Sequence, residues 1–153
     1  MFLLDYNFIP GVIMYFNHTH CSNIWWILIA NNITIDAEGL LTAAGQGWEQ
    51  GKGLAPGINS TDGGSGGSHG GLGGTGSGET SASVAYGNVR LPTEYGSGGP
   101  EDGEGTGGGI IYLKALQNME IDGDISVDGN QSKSGGGSGG SIILQSPHFT
   151  GNR

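Results

Sequence analysis

Residues 109–129, GIIYLKALQNMEIDGDISVDG, have a near-copy earlier in the chain and a partial copy later, and that repetition constrains the fold more than any other feature. Within the stretch the apolar residues alternate: Ile111 and Leu113, then Met119 and Ile121, then Ile125 and Val127. Alternation over such short runs predicts three strands, each buried on one side. Asp122-Gly123-Asp124 supplies turn chemistry between the last two. The earlier copy is residues 26–45, WILIANNITIDAEGLLTAAG. It sets Ile27 and Ile29 against Ile111 and Leu113, Asn31-Asn32 against Gln117-Asn118, and Ile33-Thr34-Ile35-Asp36 against Met119-Glu120-Ile121-Asp122. Leu41 and Ala43 then match Ile125 and Val127. The later copy starts at Ser141 and sets Ile142 and Leu144 against Ile111 and Leu113, and Phe149-Thr150-Gly151 against Ile121-Asp122-Gly123.

A unit of three short strands with one apolar stripe cannot bury that stripe alone. Stacked copies can, each strand pairing with its equivalent about 4.8 Å away. The expected fold is therefore all-β: a fragment of a right-handed parallel β-helix, a solenoid, over residues 26–153, with a glycine-rich insertion at 45–109. A β-sandwich fits the short strands less well, because equivalent residues recur in the same order. Residues 1–25 read as a degenerate N-terminal coil, with residues 12–16 as a strand, or as a wrongly assigned start. Asp5, Asn7 and Pro10-Gly11 interrupt its apolar run, so it is neither a secretory signal core nor a membrane span.

Glycine supplies 34 of the 153 residues, and the run GGSGGSHGGLGGTGSG at 63–78 places glycine pairs close to every third position. Such spacing suits extended segments of the polyglycine-II type, which pack at distances only glycine permits. A structureless insertion of this length is unusual in a compact domain, so ordered packing of at least part of it is expected. Tyr86, Leu91 and Tyr95, in a less biased island at 82–95, are expected to anchor that loop.

Taken in order, ITIDAEG, LLTAAG, GGSGGSHGGLGG, LPTEYGSGG, GGGIIYL, MEIDGDISVDG and GGGSGGSIIL resemble the glycine-rich parallel β-helix segments of very large secreted or cell-surface, adhesin-like proteins. The resemblance spans about residues 26–151. It implies an extracellular scaffold or adhesin rather than a catalyst, and further coils beyond this chain.

Charge excludes some partners. The net charge is −9 with five basic residues, so no basic face for nucleic acid is expected. Cys21 is the single cysteine, which rules out an intrachain disulfide. Asp36 and Asp122 fall at equivalent repeat positions with Asp124 close by, and hard cations take clustered oxygens. These three, with Glu101, Asp102 and Glu104, are weak calcium candidates, set against the ordinary role of acids in turns. His69 lacks a partner residue in the sequence and reads as packing rather than catalysis. GGSGG and GGTGSG lack the context of a phosphate loop, and no cofactor is expected. Asn17, Asn32, Asn59 and Asn130 head N-x-S/T sequons and are glycosylation candidates. Trp48, Tyr86, Tyr95 and Tyr112 are candidates for glycan contact.

The function expected from these readings is a non-enzymatic extracellular structural or adhesive segment, partnered by itself, in filaments, or by a surface glycan or protein. Two alternatives remain at this level: a polysaccharide lyase or hydrolase using Asp36, Asp122 and Asp124, and an ice-binding repeat using a threonine array that includes Thr34 and Thr42.

Overall fold

The computed structural model describes residues 6–8, 13–15, 26–77 and 84–151. Among the described residues there are eight strands: β1 (Tyr6–Phe8), β2 (Ile13–Tyr15), β3 (Trp26–Ile35), β4 (Leu40–Thr42), β5 (Ile110–Ile121), β6 (Asp124–Ser126), β7 (Ser141–Gln145) and β8 (His148–Thr150). One sheet runs β1-β3-β5-β7 with β8 also on β5, and the other runs β2-β4-β6. Every strand pair is parallel.

The core follows from the alternation. Ile33 stands beside Met119 and Ile35 beside Ile121, while Leu28, Leu113 and Leu144 form a second row. With Leu41 beside Ile125 on the smaller sheet, these residues bury one cluster that includes Ala30, Ala43, Ile111, Ala115 and Val127. Residues of opposite parity face out: Thr34, Glu120 and Thr150 share one outward row, and Ile27, Tyr112 and Ile143 another.

The closed β-helix expected from the repeat is not what forms. The strands make two small sheets, and most of the chain is irregular. Among the described residues of 43–109 none belongs to a strand. A closed coil needs strands on every side of each turn, and here glycine-rich segments occupy the path between β4 and β5. The repeat correspondence also needs correction. Trp26 and Leu28, not Ile27 and Ile29, stand opposite Ile111 and Leu113. The register shifts between Ala30 and Asn32, where β5 holds one residue more than β3, a bulge that flips the parity of everything before it. Ile27 is accordingly 51% exposed. Phe149 pairs with Met119 rather than Ile121. The two first strands expected within 109–129 are one strand, β5, twelve residues long. In the N-terminal stretch β1 lies across Asn7, paired with β3, and β2 pairs with β4.

The glycine-rich segments are ordered by backbone hydrogen bonds to one another. Gly96 donates to Gly108, Gly98 to Lys52 and Gly99 to Gly105, while the Ser97 carbonyl accepts from Ser138. Four successive residues thus reach three different segments, whereas a β-strand bonds in only two directions. Residues 96–100 are all buried, so the centre of this half is backbone rather than hydrocarbon. Glycine is required there by approach: a Cβ on Gly107 would overlap the Gly96 carbonyl oxygen. Ser65, Ser68 and Ser97 are fully buried, and their hydroxyls accept from the amides of Ile58 (2.9 Å), Gly73 (2.9 Å) and Ala55 (3.1 Å). Serine is therefore the side chain that fits this interior, because it supplies acceptors where segments leave amides unmatched.

Candidate functional site

The acidic candidates lie on stacked turns. Gly39 donates to the Asp36 carbonyl, Asp122 and Gly123 donate to Ile35, and Asp124 donates to Gly39, so the turn after β5 sits on the turn after β3. Asp36 and Asp122 are half-buried and Asp124 is exposed. Glu101 and Asp102 occupy an exposed turn closed by Gly103 donating to Pro100, with Glu104 just beyond it. The Glu101 amide is received by Asn59 Oδ1 (2.7 Å) and the Glu104 amide by Ser132 Oγ (3.3 Å). Among the described residues no group of three His, Cys, Asp or Glu side chains is arranged to hold a metal ion. The threonine array is not formed by the residues named for it. Thr34 shares its outward row with Glu120, and Thr42 is buried with its hydroxyl accepting from Ala44.

The sequon asparagines sit in distinct settings. Asn32 receives a hydrogen bond from Asn118 (2.8 Å), its neighbour across β3 and β5. Asn59 is exposed, and its side-chain Oδ1 accepts from the Glu101 amide. Asn130 donates to Thr106 Oγ1 (2.9 Å). Asn17 and Cys21 lie outside the described residues.

The aromatic candidates separate into two places. Tyr112 lies on the outer sheet face, its hydroxyl donating to Gln145 (2.8 Å). Trp48 and Tyr95 meet edge to face at 6.5 Å, and Tyr86 lies 4.8 Å from His69, tilted by 36°. Tyr86 donates to the Tyr95 carbonyl at 2.5 Å, which leaves the Ser97 hydroxyl to donate back to the phenol oxygen at 2.8 Å. The loop is fastened a second time where Ser141 on β7 donates to the Glu94 carbonyl (2.7 Å). Tyr86 and Tyr95 are thus half-buried anchors, while Leu91, expected to anchor with them, is 58% exposed.

Burial pushes the Tyr86 phenol above its ordinary value of 10.0, with Glu94 adding to the rise and Ser97 opposing it. A raised phenol pKa means that the folded state holds its proton more tightly than the unfolded state. That contribution is complete below pH 10.0, the ordinary value, and is lost as pH climbs through the raised one. Denaturant unfolding followed across this alkaline range should show a steeper loss of stability in the native chain than in Tyr86→Phe. Parallel curves would contradict the assignment, since Tyr95, also raised by burial, is common to both proteins.

Between the 69–72 stretch, the 85–92 loop and the 138–142 stretch lies an open groove of about 760 Å3. His69 and Tyr86 line it together, and the ring of His69 is fixed by a 2.8 Å bond from Nδ1 to the Gly139 carbonyl. A carbonyl only accepts, so Nδ1 carries the hydrogen. Sequence reasoning singled out His69 and Tyr86 separately and missed their contact, because sixteen residues separate them in the chain and no spacing rule brings them together. The buried serines left a clearer trace, in the GGSGGS spacing of Ser65 and Ser68.

Comparison with family models, curated proteins and solved structures returns no match to this chain. No helix among the described residues is long and apolar enough to cross a membrane.

Proposed function

We propose that the chain is a non-enzymatic extracellular structural or adhesive segment that associates with further copies of itself, strand against strand. The observation carrying this reading is the edge of the larger sheet. Ile111, Leu113 and Met119 on β5 are 0–2% exposed, whereas Ile142 and Leu144 on β7 are only partly buried and Phe149 on β8 is 55% exposed. Among the described residues no strand pairs with the outer side of β7 or β8, so the apolar stripe reaches an open sheet edge, and such an edge is a template for another strand. β1 bounds the same sheet on the opposite side. Pairing the last strand of one copy with the first of the next is head-to-tail, a mode that extends into filaments when it does not close. The sequons, the strongly acidic charge and the resemblance to secreted glycine-rich proteins support an extracellular setting.

The test is light scattering across a concentration series, with electron microscopy of the concentrated sample. Native protein should grow into oligomers or filaments. The double substitution Leu144→Lys and Phe149→Lys, which places charge on the edge, should keep it monomeric at the same concentrations. A native chain that stays monomeric throughout would remove self-association from the reading.

A further inference from the structure

The groove beside His69 is separate from the sheet edge and carries an inference independent of it. Among the described residues no Asp, Glu, Lys or Arg side chain lines this groove, although the chain is strongly acidic. A charged ligand would therefore be desolvated there without a counter-charge, which is unfavourable. What the groove does offer is neutral polarity. With Nδ1–H committed to Gly139, the tautomer so fixed presents Nε2 as an acceptor, and among the described residues no second hydrogen bond occupies it. Gly87 keeps that nitrogen uncovered: its φ is +100°, and a Cβ there would lie 3.0 Å from Nε2. The amides of Gly70 and Gly139, both exposed on the lining, donate to no backbone acceptor among the described residues. Between these polar points the rim is apolar, with Leu72 70% exposed and Val89 96% exposed.

The geometry is also fixed in advance. Tyr86 supports the His69 ring at 4.8 Å and is itself pinned by Tyr95 and Ser97. A preorganised acceptor, free amide donors and apolar walls, in a groove of the volume small ligands occupy, suit a molecule that is uncharged, rich in hydroxyls and lined with C–H faces. We propose that this groove binds a neutral saccharide, with His69 Nε2 accepting a sugar hydroxyl, the Gly70 and Gly139 amides donating to sugar oxygens, and Leu72 and Val89 covering a pyranose face. An extended peptide is the less fitting occupant, since two separated amides do not make a strand-like row of partners.

The experiment titrates the whole chain with cellohexaose, xylohexaose and mannohexaose, with hexagalacturonate as the charged counterpart and a glycine-serine peptide as the peptide counterpart. The readouts are ligand-observed saturation transfer and the ring signals of His69 and Tyr86. At least one neutral hexasaccharide should bind by about 10 mM and shift both ring signals. The affinity should fall about tenfold or more in His69→Ala. Leu72→Ala, on an exposed rim and without a folding role, should weaken binding in the same direction, which keeps the test decisive if the histidine variant does not fold. Three results would overturn the proposal: no neutral sugar shifting the His69 ring, equal affinity in Leu72→Ala and the native chain, or preference for the galacturonate or the peptide.

Discussion

Gly108→Ala should be among the most damaging single-methyl additions in this chain, while Gly74→Ala should be tolerated. A Cβ on Gly108 would fall on the Val127 carbonyl oxygen and within 2.5 Å of the Gly140 amide nitrogen, so three backbone segments must part to admit it. The same residue donates to Ser138 and accepts from Gly96, and both bonds are strained by the separation. Overpacking in an interior costs about 1–3 kcal/mol even where side chains can give way. Backbone cannot, so a loss at or above the top of that range is expected. Around Gly74 nothing lies within 4 Å of the added atom, and no positive φ opposes alanine. There the reduced freedom of the unfolded chain should leave stability unchanged or raised by about 0.4–1 kcal/mol. Urea unfolding of the two variants side by side gives the comparison. Equal losses would mean that the glycine-rich half is not packed as described.

The second large effect belongs to the hydrocarbon core. Ile35 is fully buried beside Ile121, and Ile35→Ala removes three carbon atoms where the neighbouring strands cannot close in. Such truncations cost about 2–5 kcal/mol. Ile27→Ala, earlier on the same strand but on the outward face at 51% exposure, should cost under about 1 kcal/mol. The pair is informative because parity read from the sequence alone puts both isoleucines inside. Chemical denaturation of the two variants separates the assignments, and similar losses would return Ile27 to the core.

Those isoleucines show what could be read from the chain and what could not. Alternation identifies strands and their buried parity wherever the run is unbroken, as in 33–35, 119–121 and 142–144. It fails across a bulge, because one extra residue leaves the composition unchanged and reverses every side chain beyond it. The extra residue in β5 is one of Leu116 and Gln117, which together face Asn31, and neither marks a bulge by type. The same limit explains why a repeat of strands suggested closed coils. Repetition specifies which strands pair, but closure depends on the connections, and the path from 43 to 109 is set by amides of many separate segments rather than by a side-chain pattern. The groove was illegible for a related reason: His69, Tyr86 and Gly139 are ordinary residues until the backbone brings them together.

The two halves of this molecule should respond differently to temperature. Shielding hydrocarbon from water gives unfolding its large positive heat capacity, while exposing polar groups lowers that quantity. Residues 96–100 and the serines around them bury peptide groups almost exclusively, so their melting contributes a small or even opposing heat-capacity change. Chilling weakens the attraction among Ile33, Ile35, Leu41 and Met119 and leaves the amide lattice comparatively untouched. A chain of this kind places its resistance to cold in the part that contains the least oil.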